Sequence, residues 1–173
     1  KDNSFNEEQS MRINNFSWGC IGIALLFLAF VAIPPVVAED KVYSFSESDP
    51  EMNAAIRKAR DSLPIFWSKF AAPSSHEKDF TLKVKIDDEN GTEHFWCGMI
   101  KGNSTSATCV IDNDPQTVKS VSFGQRIAAD PASISDWMYM RDGKIIGGET
   151  IRVILPRLSK DEAYEFRSLL AEP

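Results

Sequence analysis

Two short stretches hold most of the side chains suited to chemistry. In "GTEHFWCGMI", Glu93 and His94 stand beside Trp96 and Cys97. In "ISDWMY", Asp136 precedes Trp137, Met138 and Tyr139. A histidine oriented by a carboxylate is the raw material of a general base. His94 with Asp136 is therefore the candidate catalytic pair of a hydrolase-like enzyme, provided their strands adjoin. No serine or free cysteine is evidently placed as its nucleophile. On a strand, alternation puts His94 and Trp96 on one face and Glu93 and Cys97 on the other. That parity breaks both a Glu93–His94 dyad and a His94–Cys97 metal pair. The only other histidine, His76, sits in a polar loop. No nucleophile elbow, phosphate-binding glycine loop or His-Glu-x-x-His helix is present, and neither a metal nor a cofactor is expected.

The same stretches also support a structural reading, which is favoured. Asp136 then accepts backbone amides near Gly147-Gly148 or pairs with Arg152, which has Glu149 as its other choice. Trp137 is buried against the core. The binding alternative is a shallow groove lined by Trp96, Trp137 and Tyr139, with Arg152 nearby. Such a groove suits a peptide or a partner surface.

These residues need elements to position them. Asp49 or Ser48 followed by Pro50 and Glu51 marks a helix start. Apolar residues recur at helical spacing from Met52 to Leu63 and continue through Phe66, Trp67 and Phe70. Pro64 is expected to kink or end this helix near Ser62, leaving a further turn or two. Phe80, Leu82, Val84 and Ile86 alternate with Thr81, Lys83, Lys85 and Asp87, the pattern of a half-buried strand. Asn90-Gly91 then turns the chain into a strand from Thr92 to Ile100, and a turn near Gly102 folds Ala107–Ile111 back onto it. Cys97 and Cys109 lie equally far from Asn103, so a symmetric hairpin sets them opposite one another within disulfide range. Strands follow at 125–129 and 134–140, with Asp142-Gly143 as the next hairpin turn. From Glu149 to Leu158 both periods fit; Thr150 as a cap after Gly147-Gly148 tilts the reading to helix. Ser159 opens a final helix. The fold class is α+β: an N-terminal helix, a twisted antiparallel sheet of about five or six strands, and C-terminal helical segments.

Upstream, the apolar run "IGIALLFLAFVAI" (Ile21–Ile33) lies in an uncharged stretch behind Arg12 and is followed by Val36-x-Ala38. This is the layout of a secretory signal peptide, and the run is short for a membrane span. The expected organisation is upstream sequence at 1–10, a signal peptide at 11–38 cleaved after Ala38, and one domain at 39–173. The domain is then periplasmic or secreted, in a compartment that permits a Cys97–Cys109 disulfide. A formal net charge of −6 argues against nucleic acid, which requires a basic face. Membrane contact is expected only through the leader, if it is retained. The expected partner is a protein or peptide of the cell envelope.

The motifs in order are A-x-x-x-A-R (Ala55–Arg60), F-x-x-K (Phe80–Lys83), G-x-E-H-x-W (Gly91–Trp96), the loop Asn113–Val118, Gly124–Ala128, I-S-D-W-M-Y (Ile134–Tyr139) and G-G-x-T-x-R-V (Gly147–Val153). In these residues the chain resembles the YegJ-like family, a bacterial domain family of unknown function. The likeness covers about Asp49 to Leu158. It implies a fold and a boundary, and no mechanism. The cysteine pair departs from the family pattern and fits export.

Overall fold

The computed structural model describes residues 8–12, 42–46 and 48–171. The signal segment, its apolar run and the cleavage point after Ala38 lie outside the described residues, apart from Met11 and Arg12. Two short strands flank that stretch: β1 (Glu8–Arg12) pairs antiparallel with β2 (Val42–Ser46) and touches the main sheet through a parallel bridge at Ser10 and Glu93.

Helix α1 (Pro50–Ala71) opens the domain. The Asp49 carboxylate caps it, accepting the amides of Glu51 and Met52 at 3.0 Å each, which satisfies two donors that helix geometry leaves free. Contrary to expectation, Pro64 does not end the helix. Its missing N–H and bulky ring disturb one turn, and donors from outside the ladder gather there: the Ser62 hydroxyl and the Trp137 indole both reach the Ala59 carbonyl, at 3.1 and 2.9 Å. Beyond Pro64, buried Phe66 and Trp67 anchor the final turns.

The sheet follows as β3 (Glu77–Asp88), β4 (Gly91–Gly102), β5 (Ala107–Ile111), β6 (Arg126–Ala129), β7 (Ile134–Arg141) and β8 (Lys144–Gly147). These six strands are antiparallel, in the order β6-β5-β4-β3-β7-β8. The first four form a meander; β7 then crosses back to lie against β3. Helices α2 (Glu149–Ile154) and α3 (Lys160–Leu169) close the domain, so the ambiguous segment is helical at its start. Ser159 and Glu162 form a reciprocal capping box on α3.

One face of the sheet packs on α1. Leu82, Val84, Cys97, Ile134, Trp137 and Tyr139 meet Phe66 and Trp67 there. Tyr139 stacks on Phe80 with ring centres 4.9 Å apart. The second face is also covered: Trp96, Ile145, Ile151 and Leu170 form a cluster with Met138 and Phe166. The alternation in β3 predicts a solvated second face, and this is the main correction to it. Lys83 is 0 % exposed, because the C-terminal helices lie over its side of the sheet.

Smaller departures have local causes. The first hairpin turns through Glu89-Asn90, since Gly91 already pairs with Asp88. The disulfide Cys97–Cys109 forms, with Cα atoms 5.5 Å apart. It is not a directly opposed pair, however: Cys97 faces Ile111, and the register shifts between Gly98 and Lys101. Met99, at φ 46°, marks the bulge. The turn through Asp142-Gly143 is as expected, with both residues at positive φ.

Candidate functional site

Two places hold the material for function: a polar cluster sealed between the sheet and α2, and an open cleft on the opposite side beside α1.

The cluster begins at Asp136. Gly147 lets β8 pass closely over β7; a Cβ there would fall 2.3 Å from the Trp137 carbonyl oxygen. Gly148 then takes a left-handed conformation (φ 67°) and starts α2 without a side-chain cap of its own. Asp136 supplies that cap from β7. Its Oδ2 accepts the Thr150 amide at 2.8 Å and the Thr150 hydroxyl at 2.6 Å; its Oδ1 accepts the amides of Trp137 at 2.8 Å and Glu149 at 3.3 Å. Burial pushes the carboxyl above its ordinary range, while the Thr150 hydroxyl, the Lys83 charge and the backbone amides pull against that. Lys83 donates to the Thr150 hydroxyl at 3.3 Å, with its ammonium 5.0 Å from the centre of the Trp96 ring. The result is a directed chain, amine to hydroxyl to carboxylate. Enclosure drives the Lys83 pKa down from 10.5 to about 7, against the attraction of Asp136.

His94 lies on the same side but does not pair with Asp136. Its Nδ1 is 2.7 Å from Ser135 Oγ, which also reaches the Lys83 carbonyl at 3.3 Å. Alternation places Ser135 opposite Asp136. A bulge defeats it: Lys83 pairs with Asp136 and Val84 with Ile134, leaving Ser135 as the extra residue. Burial, then the charges of Lys83 and Lys85, hold His94 near pKa 3, so the ring is neutral at ordinary pH. His94 is 6 % exposed and Ser135 1 %. The acid–base groups thus converge, in an enclosed place.

The other expected site residues are dispersed. Trp137 and Tyr139 are buried on the α1 face and Trp96 on the opposite face, so the three do not line one groove. Arg152 donates to the Ala171 carbonyl at 2.9 Å and lies 3.9 Å from Glu149, taking the second of its two expected partners. His76 is at the surface, 2.7 Å from Asp142. Glu93 faces away from His94, and its carboxylate receives the amides of Gln116, Thr117 and Val118 at 3.0–3.2 Å. Among the described residues no group of three metal-ligating side chains occurs, and no helix is long and apolar enough to cross a membrane.

A family model described as "Uncharacterized protein conserved in bacteria (DUF2314)" matches residues 49–170. The uncharacterized protein YegJ of Escherichia coli K12 is 34% identical over 86% of this chain and 94% of its own length. The chain belongs to the DUF2314 family. A Neisseria meningitidis serogroup B protein, provisionally named for ankyrin repeats, is 26% identical over 75% of this chain; the match spans 54% of that relative. No solved structure matches.

The motifs join one another in space. F-x-x-K contributes Lys83, E-H-x-W contributes His94 and Trp96, S-D-W contributes Ser135 and Asp136, and G-G-x-T contributes Thr150, all to one cluster. Arg60 of the helix motif donates to the carbonyls of Ile134 and Ala132 at 2.8 and 2.9 Å. The Asn113 side chain accepts the Trp96 amide at 3.1 Å. Sequence reasoning missed Lys83 and Ser135. The available signal for Lys83 was the apolar content of the segments after Gly148, which required a second covered face.

The cleft has a volume of about 610 Å³ and lies between the second half of α1 and the β4–β5 turn, Gly102 to Ser104. Leu63, Pro64, Trp67 and Phe70 make it apolar, and Arg60 lines one part of it.

Proposed function

We propose that this is a non-catalytic binding domain, exported to the bacterial envelope, which takes an apolar group into the cleft beside α1. The observation that carries the reading is the separation of the two places. Every general acid or base of the cluster is buried, whereas the concave surface open to solvent is apolar. Its volume falls in the usual range for ligand sites, about 300–1,000 Å³. A base must come within hydrogen-bond reach of its substrate, and the enclosed cluster serves better as a set of pins holding α2 to the sheet. Export rests on the leader layout and on a disulfide that suits an oxidising compartment.

The test is a photo-crosslinking amino acid at Ser104, on the rim of the cleft, with Lys160 on α3 as the control position. The expected result is an adduct from Ser104 only, abolished by Ser68→Trp, which fills the cleft from an exposed position. Equal adducts from both sites, or none from Ser104, contradict the reading. Intact mass from the envelope fraction checks export; the expected species begins at Glu39.

A further inference from the structure

We infer that the cleft is a binding site for a single acyl chain with an anionic head, a fatty acid, whose carboxylate is received by Arg60. The inference rests on the cleft being the binding surface and names its ligand.

The first observation is the state of Arg60. Its Nε and Nη2 are spent on the Ile134 and Ala132 carbonyls at 2.8 and 2.9 Å. These bonds hold the guanidinium in place at the N-terminal end of β7 and leave Nη1 for another acceptor. Among the described residues no carboxylate lies within ion-pair distance of it, although Asp61 is its neighbour in the chain. A fixed cation beside an apolar surface complements an anion that carries an apolar tail.

The second observation is the nature of the walls. One wall is helix α1, which carries open backbone carbonyls only at the turn around Pro64 and in its last turn. An extended peptide enclosed there would find backbone partners only at those carbonyls and along the short turn from Gly102 to Ser104. Buried peptide groups without partners are costly. An acyl chain has no such groups, and Leu63, Pro64, Trp67 and Phe70 offer it apolar contact along the α1 wall. The cleft therefore fits hydrocarbon better than main chain, and the lone arginine sets the head.

The probes are octanoate, decanoate and dodecanoate, titrated calorimetrically into the full chain below their micelle concentrations, with methyl dodecanoate as the uncharged comparator. Affinity is expected to rise with chain length, by up to roughly four-fold per added methylene until the cleft is full. The ester should bind at least about ten-fold more weakly than the acid, and Arg60→Gln should remove that difference. The acid–ester comparison needs no variant, so it stands even if Arg60→Gln fails to fold. Equal binding of acid and ester, or no chain-length dependence, overturns the inference. Absence of fatty-acid binding alongside a persistent Ser104 crosslink also overturns it, leaves the binding domain intact, and points to a peptide occupant.

Discussion

The two faces of the sheet bury comparable side chains by different means. On the α1 face, Phe66, Phe80, Trp137 and Tyr139 stack and tilt against one another, with ring centres 4.9–5.7 Å apart for the closest pairs. Burial and ring contact stabilise them, and the buried indole N–H of Trp137 donates to the Ala59 carbonyl. On the C-terminal face, Lys83, Asp136 and Thr150 are equally enclosed, but each costs free energy unless its partner is present. The first face is held mainly by non-directional contact. The second is specific, because α2 docks only where its amides meet Asp136.

The comparison can be broken from either side. Trp137→Ala should have the largest effect, about 3–5 kcal/mol, as it opens a cavity in the aromatic stack and removes one of the two side-chain donors to the Ala59 carbonyl. Chemical denaturation measures it, and a loss below 1 kcal/mol would mean Trp137 is not the keystone of that face. Asp136→Asn should follow at about 2–3 kcal/mol, since one carboxylate oxygen becomes a donor facing the donors of α2. Amide exchange should show faster opening at Thr150 than at residues of α1.

Converting Cys97 and Cys109 together to alanine should cost about 2–3 kcal/mol through the short loop they close. Thermal melting under oxidising and reducing conditions reads this directly, and the mutant should be insensitive to reductant.

The smallest effect is a pH slope. Lys83 has a pKa of about 7 when folded and near 10.4 when unfolded. Between those values the unfolded chain binds more protons, so stability should rise with pH across that window, by about 1.4 kcal/mol per unit at most. Lys83→Met should flatten the slope above pH 7 while changing stability at pH 9 little, since the folded amine is already neutral there and Met fills a similar volume. An unchanged slope would show that Lys83 titrates normally.

The faces also differ in how legible they were. The α1 face follows from alternation and helical spacing: Phe80, Leu82 and Val84 on the strand, Met52 to Phe70 on the helix. Asp142-Gly143 fixed its hairpin, and the structural role of Asp136 followed from the nearby glycines. The C-terminal face was hidden because polar residues at alternate positions look the same whether water or a helix covers them. Lys83 is the instance. Ser135 was hidden by a bulge, which shifts parity without a glycine or proline to mark it. A second bulge, at Met99, moved the Cys97–Cys109 register. Glu93 holds the loop at Gln116–Val118 through backbone amides, and amides carry no sequence signal. The cleft was beyond reach too, since it joins α1 to a turn some thirty residues away through tertiary packing, and its key arginine reads on a helical wheel as an ordinary solvated charge.

The most direct test of this division of labour is the Ser104 crosslink measured in the Asp136→Asn protein, below that variant's melting temperature. If the buried cluster is structural and the cleft is the site, melting falls and the adduct persists at near wild-type yield. Unchanged melting with a lost adduct would contradict the account and make the Asp136 cluster the functional centre.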